Sequence, residues 1–427
     1  MEFYEHLSKH LPSDVVKKLQ EALDDNRTTS LVLNTAKYPL NDFIRDYPQV
    51  TPHSILENVF YYNKEDYDFG KSDLFDHGAI YIMDTSSMLS SYFLNIQKND
   101  LILDMCAAPG GKTIFSILQN PDINIVANDI SYQRALTLSS NIEKIGRENV
   151  MVTSLDLLAN PRIFTKSFDK IILDAPCSGS AMFRKNDLMK DDWSYEKVLK
   201  LAKLQKDLLN HALTLLKDGG ELIYSTCSFS YEENEGVILD ILEKHNNVKV
   251  INIPDNESFY RSKELKEAIH LFPYLYRGEG QFICHLKKNG IPSYSQQKNK
   301  FKSFTHQSTK DFNLNFKYYE LIKDKIYGFN FLFPEVSCGV IRKGLEVAII
   351  KKNYYLPSFA LAHYLSPLNS IILSNDEYLK YKHGEDLTTT SKEKNGFYTV
   401  SYNNINLGFV KKVDNKLKNL YPKGLRH

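Results

Sequence analysis

Short apolar runs alternate with amphipathic helices through the middle of the chain. The runs begin at the following residues: Ala79 (AIYIM), Leu101 (LILDM), Ile123 (INIVAND), Val150 (VMVTSLD), Lys170 (KIILDAP) and Gly220 (GELIYSTC). Residues 132–146 show the helical type of segment, since Ala135, Leu138 and Ile142 recur on one face. Nearly continuous apolar strands separated by helices are typical of a parallel sheet covered on both faces. The pattern therefore predicts a doubly wound α/β sheet, with its ligand site at the carboxyl ends of the strands.

The pattern changes on both sides of this sheet, which predicts further domains. Residues 1–75 read as a small N-terminal α+β module, ferredoxin-like in size, with a helix opening at Ser13 and a strand at 28–34. The sheet domain is expected over 76–288. Residues 289–303 are expected to be a linker within a lysine-rich stretch, and 304–427 to be one compact β-rich region. The lysines of that stretch are Lys287, Lys288, Lys298, Lys300 and Lys302.

Composition adds limits on the class of protein. The 427 residues carry 53 Lys and Arg against 52 Asp and Glu, so any basic surface for a partner must be local. A mean hydropathy of −0.37 excludes a chain that is mostly embedded in a membrane. The N-terminus shows no signal peptide, so a cytoplasmic protein is expected. Five scattered cysteines without ligand spacing predict neither a metal site nor a disulfide framework.

A loop of small residues follows the strand that begins at Leu101. It reads DMCAAPGGKT from Asp104 and then opens a helix. Small residues let the backbone approach a ligand closely, and the amides of a helix N-terminus bind a negatively charged group. The closing Gly-Lys-Thr does not make a phosphate-binding P-loop, because Cys106 stands where that motif needs its first glycine. The dinucleotide pattern GxGxxG is absent as well, which leaves a nucleoside cofactor whose carboxylate meets the loop.

Two aspartates at the ends of the next strands support this interpretation. Asp129 ends the second strand, where a carboxylate accepts the protons of both ribose hydroxyls. Asp156 ends the third strand, where it can receive the exocyclic amine of a base. Together with the loop they predict S-adenosylmethionine as cofactor. Each aspartate taken alone is equally well explained as a helix cap.

Two cysteines follow the next two strands. Cys177 lies in DAPCSG from Asp174, and Cys227 lies in STCS from Ser225. Neighbouring strands that end at one edge would bring both thiols near the methyl donor. A thiolate that adds to carbon 6 of a pyrimidine makes carbon 5 nucleophilic enough to attack a sulfonium methyl group. Asp174 is a candidate to hold the proton on N3 of cytosine, whereas Cys284 and Cys338 are expected to be small apolar residues.

At these residues the sequence resembles the RsmF-like branch of the NOP/Sun family of RNA cytosine-5 methyltransferases. The likeness covers the core from His77 and Gly78 through YIMDTSSM, LDMCAAPGGKT, DAPCSGSAMFRK and LKDGGELIYSTCSFSYEENEG. It continues into the C-terminal segments IIKKNYYLPSFALA and LKNLYPKGLR. The resemblance implies a Rossmann-like methyltransferase sheet followed by a PUA-like RNA-binding domain.

The resemblance also implies roles for individual residues. Cys227 matches the nucleophile of the family, and Cys177 matches the cysteine that helps to release the product. Residues alone do not choose between the two, because DNA cytosine-5 methyltransferases attack with the cysteine of the proline-cysteine motif. Arg134 is a second-tier candidate for cofactor binding. The matching cofactor residues are Cys106, Ala107, Ala108, Pro109, Gly110, Gly111, Lys112, Asp129, Asp156 and Asp174.

One departure from the family lies in the loop after Cys177. The family commonly has a second glycine two residues beyond Gly179, and Ala181 stands there in this chain. A methyl group is tolerated unless the backbone needs a positive φ. Arg184 and Lys185, next along, are expected either to touch the RNA backbone or to form a solvated basic pair.

The resemblance of the C-terminal segments implies that the substrate is ribosomal RNA or the small ribosomal subunit, and a monomer is expected. The C-terminal tail carries six basic residues against one acid, Asp414, with Tyr421 among them, a composition that suits phosphate contact and base stacking. These basic residues are Lys411, Lys412, Lys416, Lys418, Lys423 and Arg426. The alternatives are a transfer-RNA methyltransferase of the same family and an RNA-binding ribosome assembly factor without activity.

Overall fold

A computed structural model describes residues 2–25, 27–185, 188–291, 304, 308, 311–352, 354–367 and 370–426. Most of the linker predicted at 289–303 lies outside these residues, and with it Lys298, Lys300 and Lys302. Within the described part of the chain, every helix is too short or too polar to cross a bilayer.

The N-terminal region forms a small antiparallel sheet in the order β2-β3-β1-β4. The predicted helix at Ser13 and the predicted strand near Thr29 are both confirmed. The apolar run at Ala79 was expected to start the parallel sheet, which is wrong, because β4 pairs antiparallel with β1 in this small sheet. The elements are α1 (Phe3–Leu7), α2 (Ser13–Leu23), α3 (Leu40–Asp46), α4 (Asp73–Asp76), β1 (Thr29–Leu33), β2 (Thr51–Pro52), β3 (Val59–Tyr62) and β4 (Ile80–Ile82).

The central sheet is Rossmann-like, and its strands run in the order β10-β12-β9-β8-β5-β6-β7. The five strands from β9 to β7 are parallel, while β10, β11 and β12 join antiparallel. The strands are β5 (Leu101–Asp104), β6 (Asn124–Asn128), β7 (Val150–Thr153), β8 (Phe168–Asp174), β9 (Leu216–Thr226), β10 (Val248–Ile251), β11 (Ile269–Leu271) and β12 (Gln281–Lys288). The helices are α5 (Thr85–Tyr92), α6 (Gly111–Gln119), α7 (Tyr132–Ile145), α8 (Leu188–Asp191), α9 (Tyr195–Leu215) and α10 (Glu235–Lys244).

Apolar side chains cover both faces of this sheet. On β5, Ile102 belongs to the core cluster of one face and Leu103 to that of the other, as the two-residue period of a strand requires. Ile171 and Ile172 divide in the same way on β8. All four are fully buried, and each contributes about 1.5–3 kcal/mol by leaving water. This double core explains why the strands read as nearly continuous apolar runs.

The C-terminal region forms two sheets, one in the order β13-β14-β16-β17 and the other in the order β18-β20-β21-β22-β19. The predicted strands at EVAII, SIILS and FYTVSY correspond to β16, β18 and β20. The strands are β13 (Tyr318–Ile322), β14 (Lys325–Phe329), β15 (Val340–Lys343), β16 (Leu345–Ile350), β17 (Tyr355–Pro357), β18 (Ile371–Ile372), β19 (Leu387–Thr388), β20 (Gly396–Tyr402), β21 (Ile405–Val413) and β22 (Lys416–Asn419). The helices are α11 (Phe359–Tyr364) and α12 (Asn375–His383).

The strand β15 leaves this region and joins the central sheet. It pairs antiparallel with β7, where Val340 lies opposite Thr153. Arg342 on this strand is 1% exposed, and its guanidinium donates to Glu143 on α7 at 2.8 Å. The central sheet therefore continues beyond residue 288 with a strand that follows it by about 50 residues. The C-terminal region supplies the strand that covers the β7 edge.

Candidate active site

The small-residue loop lies between β5 and α6, as the sequence predicts. Gly110 has a φ of +113°, and a Cβ built there would lie 2.8 Å from the Cδ1 atom of Leu138. Only glycine suits this position, because it is both left-handed and crowded. The helix α6 begins at the next residue, so the free amides of its first turn end at the loop. The loop is thus a backbone cradle for a negatively charged group.

Asp104 ends β5 directly before the loop, and its side chain is fully buried. One carboxylate oxygen accepts a hydrogen bond from the Thr113 hydroxyl at 2.6 Å. The other oxygen has no hydrogen-bond partner within the described residues. Burial raises the pKa of Asp104 to about 7, because desolvation disfavours the charged form. This carboxyl group therefore titrates near neutral pH.

Asp129 and Asp156 both lie at the edge of the sheet. Each carboxylate accepts a hydrogen bond from a nearby backbone amide, which is the capping role that the sequence analysis gave as the alternative to cofactor binding. Asp129 is 1% exposed and accepts from the amide of Ser131 at 3.0 Å. It also forms an ion pair with Arg134 at 3.2 Å. Asp156 accepts from the amide of Ala159 at 3.0 Å. Each carboxylate also lines the cavity described next, so the capping contacts leave a ligand role possible.

A cavity of about 280 Å³ opens where the parallel strands end. It lies outside the carboxyl ends of β5, β6, β7 and β8, at the place where a doubly wound sheet binds its ligand. Its lining brings five of the predicted cofactor residues, Cys106, Ala108, Asp129, Asp156 and Asp174, together with both predicted cysteines, whereas Ala107, Pro109, Gly110, Gly111 and Lys112 are not part of it. The polar and sulfur-containing members of this lining are Met105, Cys106, Asn128, Asp129, Arg134, Asp156, Asp174, Cys177, Met189 and Cys227.

The two cysteine thiols contact each other at this cavity. Cys177 and Cys227 are 50 positions apart, yet their sulfur atoms lie 2.9 Å apart. Register explains the contact, because Asp174 on β8 lies opposite Ser225 on β9. The hydrogen bond to Cys227 and burial both raise the pKa of Cys177 well above its ordinary value. The expectation that both thiols reach one edge is confirmed, and Cys177 holds its proton strongly.

Asp174 lies beside the thiol pair and is surrounded by donors. The Lys112 ammonium lies 2.7 Å from one carboxylate oxygen. The other oxygen accepts from the Ser225 hydroxyl at 2.7 Å and from the Gln281 side-chain amide at 2.9 Å. Sequence reasoning missed Ser225 and Gln281. Gln281 comes from the antiparallel strand β12, and no short-range pattern shows that it would reach this carboxylate.

Ala181 fits the substrate loop without strain. It lies in a short 3-10 turn, Ser180–Met182, is fully buried, and is not among the residues with positive φ. Its amide donates to the carbonyl oxygen of Cys227 at 3.0 Å. The replacement of the family's glycine therefore leaves the loop backbone ordinary and adds a contact in the core.

Arg184 does not present its charge to solvent, so the expectation that it touches RNA is wrong. Its side chain is 5% exposed and forms an ion pair with Glu279 at 3.1 Å. It also donates to the carbonyl oxygen of Gly278 at 2.5 Å. These partners lie about 95 positions away in sequence, so the local sequence Arg184-Lys185 gave no sign that Arg184 would be buried. Lys185 is exposed and remains a candidate for an RNA contact.

The first helix of the chain supports the same loop. The ring of Phe3 on α1 lies 5.0 Å from the ring of Phe183 and 5.2 Å from that of Trp193. His6 on the same helix lies 3.2 Å from the carboxylate of Glu232. The N-terminal helices thus belong to the apolar cluster behind the cysteine loops, a role that the sequence did not indicate.

Two of the tail residues predicted to bind RNA are buried in the second C-terminal sheet. Tyr421 is 1% exposed, so it cannot stack on a base. Lys412 is 4% exposed, and its ammonium donates to the carbonyl oxygen of Asp414 at 2.7 Å. Both expectations are wrong, because Lys412 is buried on β21 and Tyr421, which follows β22, packs in an apolar cluster with Tyr381 and Leu417. The basic residues that stay exposed are Lys411, Lys416, Lys418 and Lys423.

Comparison with known proteins agrees with this geometry. The sequence model described as "16S rRNA methyltransferase RsmB/F" matches residues 91–287, and that of the "Methyltransferase RsmF PUA domain" matches residues 368–427. Ribosomal RNA small subunit methyltransferase F of Shewanella piezotolerans is 32% identical over 93% of this chain and 90% of the relative. The chain belongs to this family. The Escherichia coli K12 protein of the same name is 29% identical over 93% of this chain and 90% of its own.

Solved structures show the same fold. A methyltransferase homologue from Pyrococcus horikoshii superposes with a TM-score of 0.58 at 28% identity, over 66% of this chain and 93% of the homologue. The NSun6 structure from the same organism, solved with SFG, gives a TM-score of 0.61 at 20% identity, over 68% of this chain and 98% of its own. Membership of the family makes the protein an S-adenosylmethionine-dependent RNA methyltransferase.

The residues at the sheet edge fit this cofactor. The first turn of α6 and the loop before it offer backbone amides to the carboxylate of an amino acid. Asp129 and Asp156 offer carboxylate oxygens to hydroxyl and amine donors, while Ile130 and Leu157 offer apolar surface to a base. An anion cradle, two carboxylates and apolar walls in one cavity match the mixed chemistry of S-adenosylmethionine. The residues of the loop at 106–112 and these two aspartates would hold it.

Proposed function

We propose that this protein methylates carbon 5 of a cytosine in 16S ribosomal RNA through a covalent bond between Cys227 and carbon 6. The observation that carries the proposal is the 2.9 Å contact between the Cys177 and Cys227 sulfur atoms at the edge of the cofactor cavity. A methyltransferase that acts on a nucleophilic nitrogen or oxygen has no need of two thiols there. Carbon 5 of cytosine does need one, because it becomes nucleophilic only after a thiolate adds to carbon 6.

The pair of thiols divides into a nucleophile and a proton donor. The hydrogen bond to its neighbour and burial raise the pKa of Cys177, which favours its protonated form. The resemblance to the family assigns the roles: the cysteine that matches Cys227 attacks as the thiolate, and the cysteine that matches Cys177 assists release.

The remaining steps balance around this pair. Addition of the Cys227 thiolate to carbon 6 places an electron pair on carbon 5, while the Asp174 carboxyl group gives its proton to N3. Bound S-adenosylmethionine supplies the electrophilic methyl group. The carbon 5 proton then leaves to solvent, its bonding electrons restore the double bond, the bond between carbon 6 and Cys227 breaks, and N3 returns its proton to Asp174. Cys177 donates its proton to the departing Cys227 sulfur and so assists release, and this proton passes back to Cys177 before the next turnover.

Ribosomal RNA of the small subunit is the proposed substrate because the curated relatives carry that substrate in their names. The PUA domain model at residues 368–427 and the exposed lysines of β21 and β22 support RNA contact by the same region. Both cysteines, the cofactor loop and this region come from one chain, so the proposed active form is a monomer. The proposed location is the cytoplasm, where ribosomal subunits are assembled.

A labelled methyl transfer experiment tests this proposal. The protein and methyl-labelled S-adenosylmethionine are incubated separately with small subunits, large subunits, naked 16S RNA and transfer RNA, and the RNA is digested to nucleosides. The proposal predicts labelled 5-methylcytidine from small subunits or 16S RNA. Label on another atom, or on transfer RNA alone, contradicts it. Absence of transfer to every RNA would favour an assembly factor without activity.

A further inference from the structure

A buried glutamate connects the two cysteine loops. Glu233 lies in the 3-10 turn Tyr231–Glu233, six positions after Cys227, and its side chain is fully buried. One carboxylate oxygen accepts from the hydroxyls of Ser178 and Ser228, each at 2.5 Å. The other accepts from the amide of Ser178 at 2.8 Å and from the side-chain amide of Gln205 at 3.1 Å. All the acceptor positions that face these loops are therefore used.

The two serines make this arrangement specific to the thiol pair. Ser178 directly follows Cys177 in the chain, and Ser228 directly follows Cys227. A single carboxylate thus binds the residue next to each sulfur. Parallel pairing between β8 and β9 ends at Asp174 and Ser225, so strand pairing does not hold the loops together beyond that point. Beyond it, the Glu233 carboxylate links the loops together with the Ala181 amide, which donates to the carbonyl oxygen of Cys227 at 3.0 Å, and with the contact between the Ser178 and Ser228 hydroxyls at 3.1 Å.

Glu233 is itself held in place. Its carbonyl oxygen accepts from the Tyr224 hydroxyl at 2.6 Å, and its amide donates to the carbonyl oxygen of Ser230 at 3.2 Å. Its burial raises the pKa of the carboxyl group, against the donors that stabilise the charged form. Burying a carboxylate in this way costs several kcal/mol unless donors satisfy it. A buried carboxylate that is held through both its side chain and its backbone is suited to fixing the geometry of the loops.

The two loops depend on Glu233 to different degrees. The Cys227 loop has a second anchor, because Asn234 accepts from the Thr226 hydroxyl at 2.5 Å and donates to the carbonyl oxygen of Ser228 at 2.8 Å. The Cys177 loop also has other anchors, among them the Ala181 amide, which donates to the carbonyl oxygen of Cys227 at 3.0 Å. Next to the sulfur itself, however, both the amide and the hydroxyl of Ser178 donate to Glu233, whereas Ser228 donates through its hydroxyl alone. Loss of the Glu233 carboxylate should therefore displace Cys177 more than Cys227.

The geometry points to Glu233 as a positioning residue that clamps the Cys177 loop to the Cys227 loop and keeps Cys177 within reach of the covalent adduct. The expected effect of Glu233 on the reaction rests on the proposed function. Its expected effect on the distance between the sulfur atoms does not. Attack by Cys227 would continue without the clamp, whereas assistance from Cys177 to release would fail. Glu233 touches neither substrate nor cofactor in this role.

The distance between the sulfurs is tested with phenylarsine oxide, which condenses with two adjacent thiols and releases one water. Cys177→Ala is the variant that cannot be bridged. Glu233→Ala is expected to bind the arsenical at least about tenfold more weakly than the wild type, since a misplacement of ~1 Å is enough to separate reacting groups. Glu233→Gln should retain binding, because its amide can donate to both serine hydroxyls while its oxygen still accepts from Ser178. Unchanged bridging in Glu233→Ala would overturn the clamp.

Glu232→Ala is the matched control, because the carboxylate of Glu232 lies against His6 and contacts neither serine. It should bind the arsenical like the wild type, and an equal loss in this variant would contradict a specific role for Glu233. Donor affinity, measured by calorimetry with S-adenosylmethionine, checks that the sheet edge is intact. Should Glu233→Ala fail to fold, the double variant Ser178→Ala/Ser228→Ala removes both hydroxyl donors of the clamp and leaves only the backbone amide of Ser178. Full bridging in this double variant would overturn the inference as well.

The effect on the reaction is tested on denaturing gels with small subunits and S-adenosylmethionine. Glu233→Ala should form the RNA–protein adduct and release it about 10- to 100-fold more slowly than the wild type, while Glu233→Gln should restore release. Adduct turnover at the wild-type rate in Glu233→Ala would contradict the inference. If no variant of the protein forms an adduct, the proposed function fails, and the arsenical experiment still decides whether Glu233 holds the sulfurs together.

Discussion

At the scale of single residues, the edge of the cavity holds groups whose pKa is shifted by burial. Asp104 is the clearest case, since its carboxyl group has a pKa of about 7 and one oxygen without a partner in the described part of the chain. Cys177 is the second, with a thiol that keeps its proton. Shifted pKa values of this kind are frequent in active sites. The two shifted pKa values therefore indicate the same edge of the sheet as the cavity and the contact between the sulfur atoms.

Asp104 predicts a dependence of stability on pH. The pKa of this carboxyl group is raised to about 7 in the folded chain, from an ordinary value of about 3.8. Between these values the folded state binds a proton that the unfolded state has released, so this group lowers stability as pH rises. Asp104→Asn should therefore gain stability relative to the wild type between pH 5 and pH 7.5. Urea denaturation at both values measures the difference.

The control for this pH effect is Asp122→Asn, which removes an exposed carboxylate paired with Lys98. It should leave the pH dependence of unfolding close to that of the wild type. A constant difference in free energy of unfolding between Asp104→Asn and the wild type at both pH values would show that Asp104 is ionised throughout.

At the scale of elements, the strand β15 explains how the C-terminal region and the sheet fold together. Its Arg342 is buried beside α7, where it donates to Glu143 at 2.8 Å and to the Ser139 hydroxyl at 3.3 Å. Charged residues are buried only where partners satisfy them. The ion pair therefore ties an element near residue 340 to a helix that carries Arg134 and borders the cofactor cavity.

Arg342→Ala is expected to destabilise the whole protein. It leaves a cavity beneath β15 and removes the partner of Glu143, which together cost about 2–4 kcal/mol in the free energy of unfolding. Chemical denaturation measures this loss. The control, Lys351→Ala, removes an exposed pair with Asp324 and should cost less than about 1 kcal/mol. Equal losses in the two variants would mean that β15 contributes little to the central sheet.

Prediction from sequence succeeded where the pattern is local and failed where a partner is distant. The parallel strands and the meeting of Cys177 with Cys227 were predictable, because adjacent strands end at one edge. The strand β4 was misplaced, since a short apolar run reads the same in either sheet. The strand β15 was missed because its sequence, VIRK, holds a buried arginine that only Glu143 explains. Glu233 was seen as part of a family motif, but its role depends on loops that the chain brings together.

At the scale of the whole molecule, the described residues form four sheets, and the strand β15 connects the C-terminal region to the central one. A deletion from Phe304 onward would remove β15 together with the rest of the C-terminal region. Because β15 covers the β7 edge and Arg342 holds α7, that deletion would now be expected to destabilise the sheet as well. Point substitutions on the surface are therefore the better way to study RNA binding by the C-terminal region.

Two exposed lysines of the last sheet provide this test. Lys411 and Lys418 lie directly opposite each other on β21 and β22, an arrangement of like charges that a bound phosphate would stabilise. Replacing both with alanine should weaken RNA binding and reduce the slope of log affinity against log salt by about 1 to 2. Filter binding to 16S RNA at several salt concentrations measures the slope.

The control for the lysine test replaces Lys244 and Lys249. Lys244 is the last residue of α10, and Lys249 lies on β10, at the opposite edge of the central sheet. Both are exposed, and their loss should leave the slope unchanged. An equal change in both double variants would show that RNA attraction is spread over the surface rather than concentrated on the C-terminal sheet.

The most direct measurement is the covalent adduct between RNA and protein, because the account depends on Cys227 bonding to the base and on Cys177 assisting its release. Cys177→Ala, incubated with small subunits and S-adenosylmethionine, should accumulate an RNA–protein band that survives a denaturing gel. Cys227→Ala and the double variant should give neither this band nor methylated RNA. Methylation by Cys227→Ala, or an adduct in the double variant, would contradict the account.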